Sequence, residues 1–237
     1  MTTFNIGFVI FANITQLDFT GPLEVLSRLS TPASIATPTE FPQSKTHIVA
    51  KTALPVPSDR GHPFLPTCTF DDCPSLDLIC VPGGPGVVEA IADVETIDFV
   101  RRQASSAKYV TSVCVGAFVL GAAGLLKGRR ATTHWAYSDL LPIVGAKHEK
   151  GRIVQDGNVY TAAGVSSGID FAFRVVAEIA GAEVAKAIQL AIEYDPEPPF
   201  NSGHPGKASE ATKALMIQRN EKARGRIREE IERLGTV

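Results

Sequence analysis

Apolar residues fall along this chain in short, nearly unbroken runs, separated by stretches in which apolar positions recur every three or four residues. The runs at 6–11, 47–51, 76–81, 109–113 and 159–161 have strand character, and the patterns at 22–29, 87–92, 96–107, 116–126 and 169–190 predict helices. Strands apolar on both faces and alternating with helices predict a mostly parallel sheet covered on both sides. Two stretches interrupt the alternation. One, 30–44, is rich in Pro, Ser and Thr; the other, 54–74, holds Pro55, Pro57, Pro63, Pro66 and Pro74. Both predict long loops, the second with room for a short hairpin. The charged stretch 208–234 predicts a solvated surface helix. The expected division is a catalytic domain over residues 1–200 and a C-terminal extension over 201–237.

Composition narrows this picture. The chain has 237 residues, 44% of them hydrophobic, and a net charge of -2. That suits one α/β domain with a sizeable core and argues against a nucleic-acid or membrane partner. The opening residues read as a first strand rather than a basic and apolar signal with a cleavage site, so the expected location is the cytoplasm. The longest small and apolar stretch, which carries Gly116, Gly121 and Gly124, stops at Lys127, too short to cross a bilayer.

Four cysteines in a chain of this length do not make a disulfide framework. Cys68 and Cys73 lack a second pair or a histidine cluster and read as loop and core thiols. Cys80 reads as a buried thiol in a strand. Cys114 differs, because a β-branched run climbs to it and a small-residue helical pattern opens with Gly116 and Ala117. This is the pattern of a nucleophile elbow: a sharp strand-to-helix turn in a strained conformation, with a small residue two places on so that the turn can close. Helix N–H groups and the positive dipole end aimed at the sulfur predict a lowered thiol pKa.

In a parallel sheet, ligands sit beyond the carboxyl ends of the strands. Two further segments reach that edge. The first strand leads to Asp18, which reads either as a helix cap just before Pro22 or as a catalytic acid. The Pro82-Gly-Gly-Pro-Gly86 turn lacks the lysine and the spacing of a phosphate loop, so Gly83 and Gly84 read as backbone donors for developing negative charge. No histidine follows Cys114, where Val115 stands instead. His134 reads as structural, packed beside Trp135. No histidines share ligand spacing with a carboxylate, so no metal site is expected.

These residues resemble the ThiJ/PfpI superfamily, and within it the isonitrile (isocyanide) hydratases. The match runs through Gln16-Leu-Asp-Phe-Thr-Gly-Pro22, Pro82-Gly-Gly84, Thr111-Ser-Val-Cys114, Ala131-Thr-Thr-His-Trp-Ala136 and Gly168-Ile-Asp-Phe171. It continues through a long segment from Ile188 to Asn201. The resemblance implies a flavodoxin-like, class I glutamine amidotransferase-like sandwich. It implies Cys114 as nucleophile, Asp18 as the acid bonded to it, and Gly84 and Val115 as backbone donors. It implies a homodimer acting on a small molecule, with water added to an isocyanide through a covalent thioimidate to give an N-substituted formamide and with no metal or organic cofactor needed. The hydratases carry Thr directly after the nucleophile, where this chain has Val115. A related hydratase, lyase or glyoxalase-type enzyme, or a non-catalytic thiol-oxidation sensor, would use the same Cys114. A regulator that joins this fold to a helix-turn-helix module is disfavoured, because one charged helix is too short for such a module.

Overall fold

The computed structural model describes residues 3–30 and 43–235. In chain order the elements are β1 (Phe4–Val9), α1 (Gln16–Leu26), β2 (Ser44–Ala50), β3 (Val56–Pro57), β4 (Pro63–Phe64), β5 (Cys68–Thr69) and β6 (Leu78–Val81). There follow α2 (Val87–Ala92), α3 (Val94–Ala104), β7 (Tyr109–Val113), α4 (Ala117–Ala122), β8 (Arg130–Ala131), β9 (Lys147–His148), β10 (Ile153–Asp156) and β11 (Val159–Ala162). Three helices complete the chain: α5 (Ser167–Ala180), α6 (Ala182–Ala191) and α7 (Glu210–Arg233).

The central sheet runs β10-β11-β7-β6-β1-β2-β5. Every pairing in it is parallel except β10 with β11. Leu78, Ile79, Cys80 and Val81 of β6 are wholly buried, as a strand covered on both faces requires. Helix α1 packs against α5, while α2 packs against α3 and α4, so each group covers one side of the sheet. The architecture is the flavodoxin-like α/β sandwich expected from the strand and helix pattern. The expected hairpin in the proline-rich insertion is β3 with β4. Most of the expected loop at 30–44 lies outside the described residues, and Ser44 opens β2.

Several local readings need correction. The helix expected at 22–29 begins at Gln16 and carries Pro22 inside it. Thr15, in an extended conformation, turns the chain into the helix early. Pro22 removes only the one helical bond that the Asp18 carbonyl would have received. Asp18 therefore sits in the first turn rather than before the helix. The single helix expected at 169–190 is two, because Gly181 adopts φ 91° and breaks it into α5 and α6. The helix after Cys114 starts as a 3₁₀ turn, Cys114–Gly116, and is done at Ala122, with Gly124 at φ 78°. Strand β10 is half polar, so periodicity did not reveal it; it returns to β11 through a turn with Gly157 at φ 62°.

The charged helix α7 is not solvated all round. Ile227 and Ile231 are buried against the body, and the helix lies on α2 and on the 3₁₀ segment Trp135–Val144. Arg224 bonds the Ala136 carbonyl and pairs with Asp139, Arg226 pairs with Glu89, and Asn220 accepts the Tyr137 hydroxyl. Leu215 and Ile217 face outward. Ile231→Ala should cost about 2–4 kcal/mol in denaturant unfolding, because it opens a cavity under the helix. Leu215→Ala, on the exposed side of the same helix, should stay within about 0.5 kcal/mol.

Candidate active site

Cys114 stands at the carboxyl end of β7 with φ +58°, left-handed space that a non-glycine residue enters only at a cost. Three contacts meet it there. Thr133 donates its hydroxyl to the Cys114 carbonyl at 2.7 Å, in the buried interior. The Val115 N–H lies by the sulfur and favours its charged form. Gly116 packs under the end of the neighbouring strand, where a Cβ would stand 2.3 Å from the Val81 oxygen and 2.7 Å from that of Pro82. Glycine is required at 116 by this close approach and not by its dihedral angles.

Asp18 reaches the same corner from the first turn of α1. It is fully buried, and its Oδ2 accepts the Gly83 N–H at 2.9 Å. Oδ1 has no conventional hydrogen-bond partner, and the carboxyl interacts with the Cys114 thiol beside it. A side chain at Gly83 would stand 2.7 Å from the Val115 nitrogen and 2.9 Å from Asp18 Oδ2, so only glycine lets turn, carboxyl and elbow meet. Asp18 is not a helix cap; Thr15 holds that position.

Gly83 rather than Gly84 supplies the N–H that Asp18 takes. The Gly83 carbonyl accepts the Thr15 N–H at 3.0 Å, so the trans peptide turns the Gly84 N–H away from Thr15. Gly84, at φ 129°, packs against the chain from Asn13 to Thr15. Val115 is buried beside the sulfur.

The electrostatics correct one expectation. Burial raises the Cys114 thiol well above its ordinary pKa, and the Asp18 charge raises it further; the Val115 N–H opposes both without overcoming them. Both effects work against ionisation of the sulfur. Desolvation outweighs the few helix N–H groups, because the segment after Cys114 opens as a tight 3₁₀ turn. Asp18 is pushed up to about 7, chiefly by burial and further by the charge of Asp59, against the pull of the Gly83 N–H and the thiol. Thiol and carboxyl thus titrate as a coupled pair, with Asp18 losing its proton first.

The remaining candidates fall outside this pair. Burial pushes Cys80 and Cys73 up to about 12 and raises Cys68. Burial also lowers His134, whose Nδ1 accepts the Ala136 N–H at 3.3 Å and whose ring packs against Trp135 and Tyr137. No group of three or more His, Cys, Asp or Glu among the described residues could hold a metal ion. A cavity of about 260 Å³ lies between the carboxyl ends of β1 and β2 and helices α2 and α3, and neither Cys114 nor Asp18 lines it. Thr133 is the contributor that residue type alone did not disclose. Its place in the Thr-Thr-His-Trp run carried no chemical signal until the fold brought it to the elbow.

Asp18 is the residue whose burial acts against the fold. Its carboxyl binds a proton more tightly in the folded chain than in the unfolded one. Its contribution is therefore fully favourable below about pH 4 and lost as pH rises through about 7. The penalty at pH 8 is of the order of 4 kcal/mol, from a carboxyl moved from 3.8 to about 7. Asp18→Asn should raise the melting temperature at pH 8 and raise it much less at pH 5. Equal gains at the two pH values would show that the carboxyl is not buried as an acid.

A family model described as DJ-1/PfpI matches residues 5–178. Among curated proteins, isonitrile hydratase of Pseudomonas putida is 51% identical over 206 residues, 87% of this chain and 85% of that protein. Among solved structures, a ThiJ/PfpI family protein from Pseudomonas syringae superposes with a TM-score of 0.90 at 37% identity, covering 98% of this chain and 91% of that one. Drosophila melanogaster DJ-1beta, at 20% identity and a TM-score of 0.65 over 81% of this chain and 98% of its own, shares the fold.

Proposed function

The chain belongs to the DJ-1/PfpI family, and from that premise we propose that it is an isonitrile hydratase, a lyase that adds water to an isocyanide to give an N-substituted formamide. The observation that carries the chemistry is the buried Asp18 carboxyl against the Cys114 thiol at a strained elbow. The 51% identity to a hydratase carries the substrate class.

The reaction follows from the pair. Asp18, as carboxylate, takes the thiol proton while the Cys114 sulfur bonds to the terminal isocyanide carbon. The same proton passes to that carbon, leaving a thioimidate on the sulfur and Asp18 again ionised. Asp18 then takes a proton from water as the water oxygen attacks the thioimidate carbon, and gives it to the nitrogen. Collapse of the adduct forms the carbonyl and breaks the carbon–sulfur bond; the hydroxyl proton passes through Asp18 to the departing sulfur, and the formamide is released. A carboxyl raised to about 7 by burial is a stronger base than an ordinary carboxylate, and so a better acceptor of the thiol proton. The Val115 and Gly84 N–H groups are assigned as donors to the negative charge that develops in the adduct. Every atom of the sum reaction comes from isocyanide and water.

We further assign residues 1–200 as the catalytic domain and 201–237 as an extension, and the protein as a cytoplasmic homodimer acting on a small molecule. The family resemblance supports the dimer, and the net charge of -2 supports the absence of a nucleic-acid partner. Among the described residues, no helix is long and apolar enough to cross a membrane.

Purified protein supplied with aryl and alkyl isocyanides should produce the matching formamides. Cys114→Ala should abolish turnover and Cys68→Ser leave it unchanged; retained turnover in Cys114→Ala would end the covalent reading. Only ionised Asp18 can take the thiol proton. The rate should therefore rise with pH through about 7, and Asp18→Asn should nearly abolish it. A protein that makes no formamide but whose Cys114 oxidises in mild peroxide would be a sensor instead.

Val115→Thr restores the hydroxyl that the hydratases carry after the nucleophile. One added hydrogen bond of roughly 0.5–1.5 kcal/mol should speed formamide production about twofold to tenfold. Equal rates would show that this hydroxyl does not limit turnover.

A further inference from the structure

Asp59 lies in the turn between β3 and β4, which folds back over the start of α1. Its N–H donates to the Ile14 carbonyl at 2.8 Å, and Ile14 forms a parallel bridge with Ser58. Thr15 is the N-cap residue of α1, yet its side chain accepts nothing from the helix N–H groups. Its hydroxyl instead donates to Asp59 Oδ2 at 3.3 Å. The Asp59 side chain is only 12% exposed, and its Oδ1 is buried without a hydrogen-bond partner. The nearest cation, Arg60 at 3.8 Å, is 63% exposed and so largely screened. An aspartate kept for structure alone would have both oxygens satisfied.

The backbone of Thr15 extends this arrangement to the reacting pair. Its N–H holds the Gly83 carbonyl, and the Gly83 N–H holds Asp18 Oδ2. We propose that Asp59 is a positioning residue of the reaction: its carboxylate, tethered by Thr15, strengthens Asp18 as the base that takes the Cys114 proton. The proposal rests on the hydratase reading for its kinetic consequence, though not for its electrostatic one.

The charged and titratable groups around the pair are few. Asp18 is faced by the Cys114 thiol from the elbow, by Cys80 from β6 and by Asp59 from the turn, and Cys114 is faced in addition by Tyr137 from the 3₁₀ segment Trp135–Val144. Asp59 itself is faced by Arg60, and His62 lies in the same turn bonded to Gln16. A second negative charge beside a desolvated carboxyl raises its proton affinity, and here it acts in the same direction as burial.

Asp59→Asn keeps the shape and the acceptor for Thr15 while removing the charge. The titration of Asp18 can be followed by carbon-13 carboxyl resonance, with the signal assigned by its loss in Asp18→Asn. In Asp59→Asn its midpoint should move to lower pH by roughly half a unit or more. The acid limb of the formamide rate should move with it, and kcat on the plateau should fall because the base is weaker. Asp59→Glu, which retains the charge, should keep the midpoint near that of the parent. An unmoved midpoint in folded Asp59→Asn overturns the proposal. Should that variant not fold, Thr15→Val, which releases the tether, should move the midpoint in the same direction, and no movement there overturns it equally. A parent protein that makes no formamide while Asp59→Asn shifts the midpoint would sink the hydratase reading and leave the role of Asp59 standing. Turnover with an unmoved midpoint would do the reverse.

Discussion

A carboxyl and a thiol share one desolvated corner at the carboxyl edge of the sheet, and most of what is unusual in this molecule follows from keeping them there. Neither group is at ease in that place. Burial raises both; the Asp18 charge makes the thiol harder to ionise, while the thiol's contact eases ionisation of Asp18. Burial makes Asp18 a stronger base than an ordinary carboxylate, which suits a nucleophile that must both lose and regain a proton. The fold bears an electrostatic penalty at Asp18 that an apolar residue in the same place would not impose.

Such a corner persists only if its surroundings leave it no alternative. The left-handed Cys114 is pinned at its carbonyl by Thr133 and is braced from below by the contact of Gly116 with the end of β6. Asp18 is pinned by Gly83, and Gly83 by Thr15. The three strands that contribute, β1, β6 and β7, are adjacent in the sheet. The site is therefore a property of strand order. Residues far apart in sequence meet because three parallel strands end side by side and each hands its chain to a turn.

Strand order also explains what could be read from the sequence. Cys114 was legible because its own neighbours, a β-branched run before it and Gly116 after it, describe an elbow locally. Asp18 was legible as a residue arriving at the sheet edge, but not as a member of a helical first turn, because Pro22 read as a start signal when it lies inside α1. The direction of the thiol's pKa shift was misread, since local sequence shows a helix start and not the desolvation that acts against it. Thr133, Thr15 and Asp59 gave no signal of their own. Each acts through one side-chain or backbone bond to a segment distant in sequence, and such bonds have no periodicity to read. Helix α7 was legible as a helix, while its buried Ile227 and Ile231 were hidden among charges.

Those two isoleucines connect the far end of the chain to the elbow. Helix α7 grips the 3₁₀ segment Trp135–Val144 through Arg224 on the Ala136 carbonyl and Asp139, and through Asn220 on Tyr137. That segment starts directly after His134, whose ring caps it, and Thr133 is the next residue back, bonded to the Cys114 carbonyl. Exposed charge on α7 serves solubility, whereas its buried face continues the set of contacts that over-determines the strained cysteine. A strained residue stays strained only when every side of it is held, and here one of those sides leads to the C-terminal helix.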